Sequence, residues 1–127
     1  MLSEKEFDMS NDTCCTLVPY FKVHEGKLDE FKAGCPAFVE ATATEEGVLH
    51  YGFSFDGDNA HCREGYKDAA GILAHLENVG ALLQETLKIA DLVRLEVHAP
   101  ADQIEILREP LKDLNPQYYT MEFGFRR

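Results

Sequence analysis

A chain of 127 residues and 14.3 kDa, 45% hydrophobic and 28% charged with no excess of Gly or Pro, has the size and composition of one domain. Such a chain buries a core without metal or disulfide staples, which excludes collagen-like, extensively disordered and disulfide-scaffold classes. Twelve basic against 23 acidic residues leave a net charge of −11, which repels phosphate backbones and anionic lipid and argues against a nucleic-acid or membrane partner.

No segment reaches the roughly 18 to 20 consecutive apolar residues of a membrane span, and residues 1–10 lack the basic-then-apolar layout of a signal peptide. A cytoplasmic location is expected. Cys14, Cys15, Cys35 and Cys62 show no CxxC spacing and are read as thiols; a disulfide between the adjacent Cys14 and Cys15 is the less favoured, strained reading.

Residues 1–12 mix charge with isolated apolar residues and are expected to form a flexible tail before a single domain over 13–127. The β-branched and aromatic run from Thr16 to His24 predicts a strand, with Pro19 opposing full ladder pairing and Glu25-Gly26 turning the chain. Leu28, Phe31, Cys35, Phe38 and Thr42 recur at helical spacing, and Pro36 is expected to kink that helix. From Gly47 to Phe55 the chain alternates, with Leu49, Tyr51, Phe53 and Phe55 on one face. A turn at 56–59 and a strand over 60–66 complete a hairpin. Any even-length loop places Cys62, Glu64 and Tyr66 on the face of Tyr51 and Phe53, and a four-residue loop sets Tyr51 directly opposite Glu64.

Asp68 is the expected N-cap of a helix whose stripe is Ala69, Ile72, Leu73, Leu76, Val79, Leu83 and Leu87. His75 falls on the flank of that stripe. Leu92 to His98 predicts another strand, Asp102 to Leu114 a third helix, and the alternation of Tyr119, Met121, Phe123 and Phe125 a last strand. The first six elements, β-α-β-β-α-β, match the split βαβ ferredoxin-like arrangement, an α+β fold with two helices over one face of an antiparallel sheet. Residues 100–127 are then a C-terminal extension carrying an extra helix and strand. Leu17, Phe21, Tyr51, Phe53, Val93, Leu95 and Val97 are expected under the helices. The opposite, mixed face, with Tyr20, Lys22, His24, His50, Arg63, Arg94, Glu96 and His98, requires water or a second copy of the chain as cover.

Three blocks of residues carry a resemblance. Val23-His24-Glu25-Gly26-Lys27-Leu28-Asp29-Glu30-Phe31 resembles the strand-Gly-helix opening of the antibiotic biosynthesis monooxygenase family. Glu45-Glu46-Gly47-Val48-Leu49-His50-Tyr51 is similar to that family's E-x-G-x-x-x-Y block. Glu64-Gly65-Tyr66 followed by Ala74-His75-Leu76 is similar to its E-x-W/Y strand and A-H-L helix. The resemblance covers about residues 16–98 and implies a dimeric α+β barrel, two sheets packed face to face, with a small pocket between each sheet and its own helices. The chain departs from the family in having no tryptophan, a residue found in the pocket of the polyketide-oxidising members. Pro19, His75 and Glu85 stand where haem-degrading relatives place an Asn, a Trp and an axial His, which argues against haem degradation.

Glu64, on an otherwise apolar sheet face, requires either a partner or a raised pKa. It either orients His75 and takes a substrate proton or fixes the hairpin onto the helix. His75 is placed to remove a phenolic or enolic proton, the step that makes an electron-rich molecule reactive toward O2 without metal or flavin; its bland reading is a capping or packing role. Tyr51, Tyr66, Phe53 and Phe21 are the expected ligand-binding residues, Tyr51 and Tyr66 supplying hydroxyls as well as aromatic walls. The five His residues show no metal-binding spacing, and no GxGxxG or phosphate loop occurs, so no metal and no cofactor are expected. The expectation is therefore a homodimeric, cofactor-independent monooxygenase or oxidoreductase acting on a small aromatic, quinol-like or enolisable molecule. The alternative is a non-catalytic dimeric barrel that binds a small apolar metabolite as a sensor or stress-related protein.

Overall fold

The alternation of the second and third strands decides which side chains face inward, and a two-residue turn decides their register. The computed structural model describes residues 7–127. Its elements are β1 (Cys15–Val23), α1 (Leu28–Ala43), β2 (Val48–Asp56), β3 (Asn59–Tyr66), α2 (Ala69–Thr86), β4 (Ala90–Ala99), α3 (Ala101–Arg108), a 3-10 turn (Lys112–Leu114) and β5 (Gln117–Thr120). The strands form one sheet in the order β2-β3-β1-β4-β5, antiparallel except for the parallel β4–β5 pair. This is the ferredoxin-like α+β arrangement with one strand added beside β4.

Gly57, at a φ of 58°, lets Asp56 pair with Asn59 across a two-residue loop. The resulting even register sets Tyr51 opposite Glu64 and Phe53 opposite Cys62. At the start of the hairpin, a bulge between Val48 and His50 turns Leu49 out to solvent, where the strict alternation had placed it inside. A second irregularity follows Pro19. β1 pairs with β3 at Leu17 and again at Tyr20, but not at the proline, which has no N–H to give. Its register with β4 also shifts between Tyr20 and Phe21. Val93 lies in that shift and is 63% exposed, so the expectation that it packs under the helices is corrected; Leu92 turns inward instead.

α1 buries Phe31, Phe38 and Thr42 along the predicted stripe, with Pro36 inside the helix. α2 begins at the expected cap, with Asp68 Oδ1 accepting from Gly71 N at 2.9 Å. Its buried residues are Ala69, Gly71, Ile72, His75 and Val79, so His75 lies within the buried face and not on its flank. Gly47 and Gly71 bring the α1–β2 loop and α2 together. A Cβ on Gly47 would stand 3.0 Å from Gly71 Cα, and one on Gly71 would stand 3.2 Å from Tyr66 Cβ.

The predicted helix over 102–114 stops at Arg108, because Pro110 has no N–H with which to continue the ladder. The chain resumes as the 3-10 turn and reverses at Asn115, at a φ of 50°. The last strand ends at Thr120, five residues before the alternation does, since Thr120 pairs with Ala99 and β4 runs out there. Residues 100–127 are no appendage: Ile104, Leu107 and Leu111 join the core cluster of Leu17, Ile72 and Val97. The tail expectation also needs correction where it is described. Met9 is buried, its N–H donates to Glu122 O, Asp8 bridges to Phe123, and Asp12 holds Arg126 in a two-pronged ion pair. Residues 1–6 of that expectation lie outside the described residues.

The two kinds of helical glycine have opposite expected effects. Gly71→Val forces the α1–β2 loop away from α2 and should cost about 1 to 3 kcal/mol in urea unfolding. Gly80→Ala, in α2 with open space around it, should add about 0.5 to 1 kcal/mol.

Candidate functional site

Between the sheet and the two long helices lies a narrow cleft with a cavity volume of about 50 Å3. Its walls are apolar. Phe31 from α1 meets Phe21 of β1 and Phe53 of β2 at ring-centroid distances of 5.8 and 6.3 Å, and Val79, Leu83 and Leu95 continue the lining. Leu114, from the 3-10 turn, also reaches it. Tyr51, Cys62, Glu64 and His75 supply polar atoms to this lining.

The hairpin register and the α2 stripe together produce this polar cluster. Glu64 and Tyr66 alternate to the same face of β3, and the Tyr66 hydroxyl donates to Glu64 Oε1 at 2.6 Å. His75 comes down from α2 between the two tyrosines, 5.3 Å from the Tyr51 ring and 5.4 Å from that of Tyr66. Its Nε2 is 3.3 Å from Glu64 Oε1, and its Nδ1 is 2.9 and 3.2 Å from the two oxygens of Glu45. Glu45, in the loop after α1, is held in turn by Asn78 Nδ2 at 2.9 Å; the same amide also donates to Ala41 O. The result is a row of carboxyl, imidazole and carboxyl. Glu64 and His75 are 3% and 2% exposed.

Burial sets the protonation of this row. Desolvation pushes the Glu64 carboxyl up to about 7, against the Tyr66 and Cys62 hydrogen bonds that favour its charged form. Desolvation also lowers the His75 pKa, opposed by Glu45. The Tyr51, Tyr66 and Cys62 pKa values are all raised by burial, so these groups stay protonated and act as donors. Near neutral pH the cluster therefore holds a carboxyl poised between acid and base beside an imidazole that is predominantly neutral. Thr42 Oγ1, among the described residues, is buried without a hydrogen-bond partner.

Five of the six residues singled out from the sequence, Phe21, Tyr51, Phe53, Glu64 and His75, line one cleft. Tyr66 is corrected: it stands behind Glu64, fully buried, and is no wall of the cleft. The sequence reading assigned no role to Glu45, Asn78 or Cys62. Glu45 did carry a signal as the first residue of the E-x-G-x-x-x-Y block. All three fixed positions of that block converge here, Glu45 and Tyr51 on His75, and Gly47 on Gly71 of the helix that carries it. Among the described residues no group of three or more His, Cys, Asp or Glu side chains is arranged to hold a metal ion.

No protein-family model matches the chain, and neither does any curated protein. Solved structures do. Two assigned to the antibiotic biosynthesis monooxygenases have the same fold. The one from Nitrosomonas europaea has a TM-score of 0.63 at 15% identity over 72% of this chain and 93% of its own. That from Chloroflexus aurantiacus has a TM-score of 0.59 at 18% identity over 70% and 94%. The protein thus has the ferredoxin-like fold of the antibiotic biosynthesis monooxygenases. A nearer relation is MupZ from Pseudomonas fluorescens, 45% identical over 91% of this chain and 96% of MupZ, with a TM-score of 0.88. The chain belongs to the same family as MupZ.

The pKa directions give a stability test. Glu64 has a raised folded pKa, so its contribution is fully present below about 4.5 and is lost as pH rises through about 7. That of His75 has the opposite sign, present above 6.5 and lost on acidification. Glu64→Gln keeps an acceptor for Tyr66 and removes the first dependence. The stability difference between variant and wild type, measured by thermal unfolding from pH 5 to 8, should move in favour of Gln by on the order of 1 to 3 kcal/mol.

Proposed function

We propose that the protein is a cofactor-independent enzyme of the monooxygenase or oxidoreductase kind, which transfers a proton to or from a small aromatic, quinol-like or enolisable molecule bound in the cleft, with Glu64 and His75 as the catalytic acid–base groups. One observation carries the proton chemistry: a carboxyl with a raised pKa is in contact with a buried imidazole in an apolar cleft. Phe21, Phe53 and Tyr51 supply aromatic faces for a flat apolar ligand. The use of O2 is supported by the fold shared with the monooxygenase structures. In such a reaction, removal of a phenolic or enolic proton yields the electron-rich anion that reduces O2. The tyrosine and cysteine donors stabilise negative charge nearby.

O2 uptake with a panel of quinols and hydroxylated polycyclic aromatics tests this reading. Uptake is expected for at least one class, with kcat reduced about 10^2- to 10^4-fold in His75→Ala. Binding without turnover in the wild-type protein favours the sensor reading and removes the enzyme.

The outer face of the sheet supports a twofold homodimer. It exposes Val93 beside Tyr20 and His61, whose rings are 4.8 Å apart, with a polar cluster alongside. In that cluster Glu96 bonds both Arg94 and His98, and Arg94 also donates to Tyr119, which stacks on His98. Burial of this face against a second copy covers the apolar part and pairs the charged part. Sedimentation at micromolar concentration should show about twice the 14.3 kDa chain mass, and Val93→Glu should shift the species to monomer by desolvating a charge in the interface. A wild-type monomer overturns the dimer.

A further inference from the structure

His75 has both ring nitrogens committed. Nδ1 faces the two oxygens of Glu45, and a carboxylate only accepts, so the hydrogen lies on Nδ1. A neutral imidazole with Nδ1–H presents a lone pair at Nε2, and Nε2 points to Glu64 Oε1 at 3.3 Å. Two lone pairs do not attract, so one proton is shared by Glu64 and His75. Oε1 already accepts from Tyr66. No nitrogen of His75 is left to reach a molecule in the cleft. Oε2 of Glu64, by contrast, has no nitrogen or oxygen hydrogen-bond partner among the described residues, the Cys62 thiol being the carboxyl's remaining donor, and Glu64 lines the cleft.

We propose that Glu45, held by Asn78, is a positioning residue that fixes His75 as its Nδ1–H tautomer and thereby makes Glu64, through Oε2, the group that exchanges a proton with a ligand in the cleft. This rests on the acid–base reading above and divides its labour: Glu64 is the catalytic residue, and His75 and Glu45 act through it. While the shared proton lies between Oε1 and Nε2, Oε2 carries none, so it takes a proton from an acidic ligand atom; the shared proton then sits on Nε2, and Oε1 accepts from Nε2–H and from Tyr66. Return of the proton from Oε2 to the ligand restores the starting state. In both directions the Nδ1 hydrogen stays with Glu45.

The surroundings of His75 leave no competing control of its charge. The titratable groups that face it are Glu45 from the α1–β2 loop, Tyr51 from β2, and Glu64 and Tyr66 from β3, with Cys62 beside Tyr51 and Glu64. α1 brings Thr42 to this neighbourhood beside Tyr51, and β1 brings Leu17, the cross-strand partner of Glu64. Among the described residues, no Lys or Arg side chain is bonded to any of these acids.

Nitrogen-15 NMR of the imidazole reads the tautomer directly and needs no substrate. The wild-type protein is expected to show a protonated Nδ1 and a bare Nε2 at neutral pH. Glu45→Leu removes the acceptor and should give a mixture of tautomers, with kcat reduced about 10- to 100-fold and KM within twofold. Glu45→Gln is nearly isosteric and keeps an acceptor for Nδ1–H but not the charge. The tautomer should persist, the His75 protonation midpoint should move to lower pH, and the acid limb of the kcat profile should move with it. A wild-type spectrum with the hydrogen on Nε2 overturns the proposal, as does a Glu45→Gln protein whose His75 midpoint is unchanged. If the panel shows no turnover, the enzyme reading fails, while the spectra still decide the tautomer.

Discussion

The rest of the site depends on a carboxyl group taken out of water. Glu64 sits in the layer between sheet and helices, where an ionised, unpartnered carboxylate would cost several kcal/mol. Its burial is tolerable because three groups approach it from separate parts of the chain. Tyr66 does so by strand alternation, His75 by its place on α2, and Cys62 by its position two residues before it on the same strand. His75 in turn needs Glu45, and Glu45 needs the loop to lie close to α2. That closeness is possible because neither Gly47 nor Gly71 carries a side chain at the crossing. A change at the crossing thus acts on the carboxyl through the imidazole.

The apolar remainder of the cleft amplifies these contacts. A hydrogen bond in a low-dielectric surrounding is electrostatically stronger than one in water, and an unsatisfied group there is correspondingly expensive. The aromatic walls give Glu64 its raised pKa by the same desolvation that keeps the tyrosine hydroxyls and the Cys62 thiol protonated. The raised pKa of Glu64 and the apolar character of the cleft have one physical origin.

The sheet side of the site is legible in the sequence, because a period of two and an even turn leave one register. Tyr51 therefore falls opposite Glu64, as expected. The Asp68 cap and the α1 stripe were legible for similar local reasons. Leu49 and Val93 were misplaced because each lies at a bulge, and an extra residue in a strand leaves the apolar alternation of the sequence unmarked. The third helix and last strand were overdrawn because periodicity records neither the missing N–H of Pro110 nor the point where β4 ends as a partner. Glu45 was visible as a motif residue but not as a partner of His75, since 30 residues separate them and only the docking of α2 brings them together.

The pairing of residues 7–12 with residues 122–126 has a consequence for how the fold can be rewired. Phe7 O accepts from Gly124 N at 2.6 Å, and the Asp12–Arg126 ion pair lies on the same connection. The beginning and the end of the described chain are therefore neighbours across a ladder rung, while Gly57 and Asp58 form a turn outside every core cluster. A circular permutant that joins Arg127 to Phe7 by a short linker and opens the chain at that turn keeps every sheet pairing and converts β2 and β3 into terminal strands. In such a molecule the Tyr51–Glu64 register would rest on strand pairing alone, without the hairpin that enforces it in the native order.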